Sequence, residues 1–131
     1  ISTHFLAFAS PKDRAYMSTL ASQGPHAAAC MAKRMPMNPS LRKTVEYFQD
    51  HKITLVVRLN NALYYSGAFE QAGIEHKDMY FDDGSNPSDE IIRAFIREAD
   101  RTIQGGGVIA VHCKAGLGRT GVLIGAYLIW R

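Results

Sequence analysis

The chain has 131 residues, 47% of them hydrophobic and 21% charged, which suits one domain with an ordinary core and excludes a disordered polar tail. No apolar run reaches the about 18 residues that a membrane span needs, and two cysteines, Cys30 and Cys113, make no disulfide framework, so the chain reads as intracellular. Its net charge of +3 is unevenly spread: Ser10 to Lys43 holds six Lys/Arg and one Asp, whereas Thr44 to Gln104 holds six Lys/Arg and eleven acidic residues. The basic stretch is diluted by Ala, Met, Ser and Pro without interleaved aromatics, which fits a solvated connection better than a nucleic-acid face; neither nucleic acid nor membrane is expected as a partner.

Phe5 to Ala9 is a short apolar run ended by Ser10-Pro11 and reads as a buried strand. Lys12 to Pro39 shows no clean period and contains Pro25, Pro36 and Pro39, so it is expected to be a poorly ordered connection with one helical stretch around His26 to Arg34. Ser40 suits the cap of a helix running to about Asp50, with Leu41, Val45 and Phe48 on one face. Ile53 to Leu59 reads as a strand, Ser66 to Ala72 as a short helix stopped by Gly73, and Ile74 to Phe81 as a further strand that breaks at Asp82-Asp83-Gly84. Asn86-Pro87 then offers a cap and a first helical position for a helix whose stripe is Ile91, Ile92, Phe95, Ile96 and Ala99, ending before Gly105-Gly106-Gly107.

Val108 to Val111 is a final strand, and Gly118 to Trp130 a helix apolar on nearly every side, which implies burial. Strands alternating with helices predict an α/β fold: a mostly parallel sheet flanked by helices, with its site at the C-terminal ends of strands. The elements that should cover the last helix are not in the sequence, so its C-terminal helices are expected to be missing. Cys113 and the Asp82-Asp83 turn both fall at strand ends.

Between the last strand and helix runs His112-Cys113-Lys114-Ala115-Gly116-Leu117-Gly118-Arg119-Thr120. A loop curling from a strand into a helix N-terminus aims successive N–H groups into one concavity, which attracts an anion. Lys114 to Arg119 is thus the candidate phosphate cradle: Gly116 and Gly118 let the backbone approach closely, and the Arg119 fork suits two phosphoryl oxygens. The same field favours thiolate over thiol at Cys113, the candidate nucleophile. A thiolate attacking a phosphomonoester needs an acid for the leaving group. Asp82 and Asp83 both qualify by position, and both also suit a turn with Gly84. Thr120 suits hydrogen bonding to the Cys113 sulfur as well as capping the helix, and His112 is expected behind the loop, bonding backbone carbonyls and supporting its shape. No His, Cys and carboxylate spacing suits a metal, and His4, His26, His51 and His76 look scattered.

His-Cys, five residues, then Arg-Thr is similar to the active-site loop of the cysteine-dependent protein tyrosine and dual-specificity phosphatases. With Val57-Arg58-Leu59-Asn60, the run from Phe69 to His76, and Phe81 to Asp89, the loop at 113–121 resembles that of the catalytic domain of the cell-division-cycle-fourteen phosphatases. The resemblance implies Asp83 as general acid and no cofactor or metal. It implies phosphoprotein substrates that are targets of proline-directed cyclin-dependent kinases, with phosphoserine before proline favoured and phosphotyrosine also accepted. It further implies a role in mitotic exit and cell division, at the nucleus and nucleolus, spindle or centrosome and cytoplasm, and a non-catalytic domain preceding this one. On this basis residues 1–131 are expected to form a single partial catalytic domain: an entry strand at 1–11, the connection at 12–39, and a core at 40–131 with the active-site loop at 112–120. Two other readings remain: a tensin-like phosphoinositide phosphatase, although such loops carry a second lysine where Leu117 stands, and an inactive phosphoprotein-binding fragment.

Overall fold

A four-stranded sheet, parallel throughout, places the sequence's one chemically loaded loop near its middle. The computed structural model describes residues 4–82, 84–114 and 118–130. In chain order the elements are β1 (Phe5–Ala9), α1 (Arg14–Gln23), α2 (Pro25–Arg34), α3 (Pro39–Asp50), β2 (Ile53–Arg58), α4 (Gly67–Glu70), β3 (Glu75–Asp78), α5 (Asp89–Gln104), β4 (Val108–Cys113) and α6 (Gly118–Trp130). The strands lie in the order β1-β4-β2-β3, so β4 is central and its C-terminal end is flanked on both sides.

Side-chain alternation along each strand divides the core into two. On one face Leu55, Val57, Ile109, Val111 and Cys113 pack with Phe95 of α5 and Leu123 and Tyr127 of α6. On the other, Val56 and Ala110 meet Leu41, Val45 and Phe48 of α3 and Phe69 of α4. Sheets buried on both faces need near-continuous apolar strands, which is what Ile-Thr-Leu-Val-Val and Val-Ile-Ala-Val supply. The β2–β4 register shifts between Ile53 and Leu55, leaving Arg58 opposite His112.

The helical stretch expected around His26 to Arg34 is present as α2, but the segment from 12 to 39 is not a poorly ordered connection: a second helix, α1, packs on α2. The prolines that argued against order mark helix starts instead: Pro25 and Pro39 occupy the first positions of α2 and α3, where a missing N–H costs nothing. Asp13 caps α1, its carboxylate accepting from Tyr16 N at 3.2 Å. Two caps also move. Asn38 rather than Ser40 starts α3, accepting from the N–H groups of Ser40 and Leu41 at 2.9 and 3.2 Å. Ser88 rather than Asn86 caps α5, accepting from Ile91 N at 3.2 Å. The strand expected over Ile74 to Phe81 narrows to Glu75–Asp78, although Met79 N and Phe81 N still reach the carbonyls of Arg58 and Leu59 at 2.9 and 3.4 Å.

Helix α6 is not buried all round. Leu123, Ile124 and Tyr127 are in the core, whereas Val122, Leu128, Ile129 and Trp130 are exposed, Ile129 to 88%. No helix among the described residues is long and apolar enough to cross a membrane.

Candidate active site

Cys113 ends β4, and the sheet continues to hold its backbone on both sides. Ser10 N donates to the Cys113 carbonyl and Leu59 N to the His112 carbonyl, each at 3.0 Å. Side-chain parity then sends Cys113 and His112 to opposite faces: the cysteine packs toward α5 and α6 at 3% exposure, while His112 is wholly buried on the α3 side.

The loop returns into α6, whose first turn carries Gly118, Arg119 and Thr120. Thr120 is fully buried and its hydroxyl donates to Cys113 Sγ at 3.6 Å, a contact that favours negative charge on sulfur. Arg119 is also buried, and its Nη1 donates to the carbonyls of Phe81 at 3.0 Å and Leu59 at 3.5 Å. The arginine thereby ties the start of α6 to the segment that leads into the Asp82-Asp83 turn. Lys114 is exposed. Asp83, Ala115, Gly116 and Leu117 lie outside the described residues.

Asp82 serves the turn. Its carboxylate accepts from the Tyr80 hydroxyl, and its carbonyl accepts from Ser85 N at 3.1 Å and Ser85 Oγ at 2.6 Å. Gly84 follows at φ 77°, a conformation most side chains resist. Of the two aspartates that were equivalent by position, this one has its side chain engaged locally.

His112 lies behind the loop, where its Nε2 meets the Tyr64 hydroxyl at 2.7 Å and a backbone hydrogen bond at Cys113 also acts on the ring. The same hydroxyl meets His76 Nε2, also at 2.7 Å. Arg58, 5% exposed, donates to the Tyr64 carbonyl at 2.8 Å and holds Asp78 with two bonds of 2.6 and 3.1 Å. Burial, followed by the field of Arg58, pushes His76 down to about 4. Burial, then His76 and Arg58, pushes His112 down to about 3. Both rings are therefore neutral near pH 7. Asp78 is lowered despite the opposing effect of burial, because Arg58 bonds its ionised form.

His76 is thus not one of a scattered set, and Tyr64, Arg58 and Asp78 join it beneath the loop. Parity within each strand puts Arg58, His76, Asp78 and His112 on one face once β2 is known to lie between β3 and β4. That lateral order is what the sequence did not supply. Among the described residues no group of three His, Cys, Asp or Glu side chains is placed to hold a metal ion.

A parallel α/β sheet, with a buried cysteine ending its central strand and Arg-Thr opening the next helix, defines the tyrosine and dual-specificity phosphatase class. A family model described as "Polymorphic toxin system, DSP-PTPase phosphatase" matches residues 29–131. The chain belongs to this phosphatase family. It is 45% identical over 130 residues to the tyrosine-protein phosphatase CDC14 of Candida albicans, covering 99% of this chain and 21% of that protein. To the human dual specificity protein phosphatase CDC14A it is 46% identical over 110 residues, covering 84% of this chain and 18% of that one. Among solved structures, Tk-PTP in its active form aligns with a TM-score of 0.61 at 26% identity, covering 74% of this chain and 65% of the other. The similarity to the cell-division-cycle-fourteen phosphatases therefore runs along nearly the whole chain, which spans about a fifth of the length of the curated relatives it matches.

Proposed function

We propose that this chain is a catalytic unit of a cysteine-dependent protein phosphatase, hydrolysing phosphoserine or phosphothreonine before proline, and phosphotyrosine, through a cysteinyl-phosphate. The observation that carries the reading is the placement of the Thr120 hydroxyl 3.6 Å from a buried Cys113 sulfur at the C-terminal end of the central strand. In the first step Cys113 Sγ forms a bond to phosphorus, the ester P–O bond breaks, and the leaving oxygen takes a proton from Asp83. In the second, water attacks phosphorus and gives a proton to the Asp83 carboxylate. The S–P bond then breaks with its electron pair on sulfur, where the Thr120 hydroxyl stabilises the thiolate. The loop at 114–118 and the Arg119 fork hold the phosphoryl oxygens, and His112 supports the loop from behind.

Phosphoproteins are the substrates on this reading, with cyclin-dependent-kinase targets suggested by the similarity to the CDC14 phosphatases. The same similarity suggests, as part of this proposal, a cell-cycle role in the nucleus, nucleolus, spindle or centrosome and cytoplasm, and a preceding non-catalytic domain.

Hydrolysis of a phosphoserine-proline peptide tests the proposal directly. The protein should release phosphate, and Cys113→Ser should lower kcat by at least about a thousandfold, as loss of a nucleophile does elsewhere. Turnover indifferent to that substitution removes the nucleophile assignment. Asp83→Asn should cost about a hundredfold and Asp82→Asn much less; the opposite ranking transfers the acid's role to Asp82.

A further inference from the structure

We infer that Tyr64 is a positioning residue for the nucleophile loop, acting through the His112 ring that its hydroxyl holds on the far face of the sheet. The inference rests on the phosphatase reading above, in which His112 supports the loop, and assigns a role to the buried residues that hold His112 in turn.

The geometry is restrictive. A phenol carries one proton, yet the Tyr64 oxygen lies 2.7 Å from Nε2 of both His76 and His112. One ring must accept the phenolic proton and the other must donate its own N–H to the phenolic oxygen, so the two neutral imidazoles take opposite tautomers. The hydroxyl therefore selects a ring state at His112 as well as filling space. Burial holding His112 at about 3 and His76 at about 4 keeps both rings neutral through the range in which a phosphatase works.

Tyr64 is itself fixed from behind. Arg58 donates to its carbonyl at 2.8 Å and lies with its guanidinium 4.7 Å from the ring centroid, while Asp78 holds the arginine in place. From α1, Tyr16 faces this cluster; burial raises its phenol above the ordinary value, and it also lies in the opposing fields of Arg58 and Asp78. On its other side the His112 ring meets Phe8 at a centroid distance of 4.7 Å, and Leu59 N holds its carbonyl at 3.0 Å. The residue immediately before the nucleophile is thus constrained at ring and backbone together. Removing the phenolic oxygen leaves two buried Nε2 atoms without that partner and frees His112 to change tautomer and rotamer. Cys113 and the start of the loop then lose their single direction.

The test uses Tyr64→Phe and His76→Leu in a Cys30→Ser background, so that thiol chemistry reports Cys113. The pH midpoint of iodoacetamide alkylation requires no turnover; kcat and KM are measured on a phosphoserine-proline peptide. Tyr64→Phe should raise the alkylation midpoint by about half a unit and lower kcat about tenfold with KM within about twofold, the scale of losing a supporting partner behind a site residue. His76→Leu should shift both in the same direction by less. A folded Tyr64→Phe protein with unchanged midpoint and kcat overturns the inference, whatever its melting temperature does. If Tyr64→Phe does not fold, His76→Leu decides: a raised midpoint supports the role and an unchanged one overturns it. Should the parent protein hydrolyse no phosphopeptide, the phosphatase reading fails while the alkylation midpoints still decide on Tyr64.

Discussion

Thr120 is the side chain whose part in the chemistry separates most cleanly from its part in packing. Fully buried, it donates to Cys113 sulfur from the first turn of α6. Valine has nearly the same shape without the hydroxyl, and serine keeps the hydroxyl without the methyl group. On the proposed mechanism the hydroxyl matters most when sulfur regains its electron pair, that is, in breakdown of the cysteinyl-phosphate. Thr120→Val should therefore lower kcat about tenfold or more and allow the phospho-enzyme to accumulate as a rapid burst of product, the scale expected for a hydrogen bond to a charged group. Thr120→Ser should turn over close to the parent rate. Quenched-flow measurement of the burst distinguishes the two, and equal burst behaviour in both variants leaves Thr120 with a packing role alone. Cys113, Arg119 and Thr120 were legible because their spacing is local: strand end, loop, first helical turn. Tyr64 was not, because it lies 48 residues from His112 in sequence and meets it only across the folded sheet.

Among the elements, long amphipathic helices and apolar strands were legible at their centres, and boundaries failed where two capping side chains stand two residues apart. Asn38 and Ser40 compete for α3, and the Asn-Pro pair decides, since Pro39 occupies the first helical position and leaves Asn38 to bond the next two N–H groups. At α5 the same pattern misleads: Asn86-Pro87 precedes the helix, and Ser88 takes the cap with Asp89 and Glu90 in the first turn. Helix α2 was legible from His26 to Arg34, but α1 escaped notice and the pairing of the two was hidden, because each buries one residue, Tyr16 and Ala28 respectively, and their contact is chiefly with each other. An apolar period is weak where burial is slight. Asn38→Ala should destabilise the protein by about 1 kcal/mol in urea unfolding, the usual loss for an N-cap, whereas Ser40→Ala should change it by less than about 0.5 kcal/mol. Equal effects of the two substitutions contradict the cap assignment.

For the whole molecule, the strand order β1-β4-β2-β3 converts residues remote in sequence into one buried polar layer, and that layer should govern stability in acid. Burial holds the pKa values of His76 and His112 in the folded protein down at about 4 and about 3, against an ordinary imidazole value of 6.5. The unfolded chain therefore binds protons below pH 6.5 that the folded protein refuses. Stability contributed by the neutral rings is intact above 6.5 and is lost as pH falls, with the loss levelling off only once the folded-state values are passed. Between pH 6 and 5 unfolding should take up between one and two protons at this pair, a slope of about 2 kcal/mol per pH unit. Asp78 acts in the same direction at lower pH, because its lowered pKa makes the Arg58 pair a source of stability that disappears as the carboxylate protonates. Urea unfolding at several pH values measures the slope, and His76→Gln should halve it between pH 6 and 5 by removing one of the two protons. The same slope in parent and variant would mean that the folded protein accepts a proton at His76. The Tyr64 hydroxyl would then accept from a charged His76 ring and donate to His112 Nε2, so that His112 would be fixed as the acceptor beneath Cys113 at that pH.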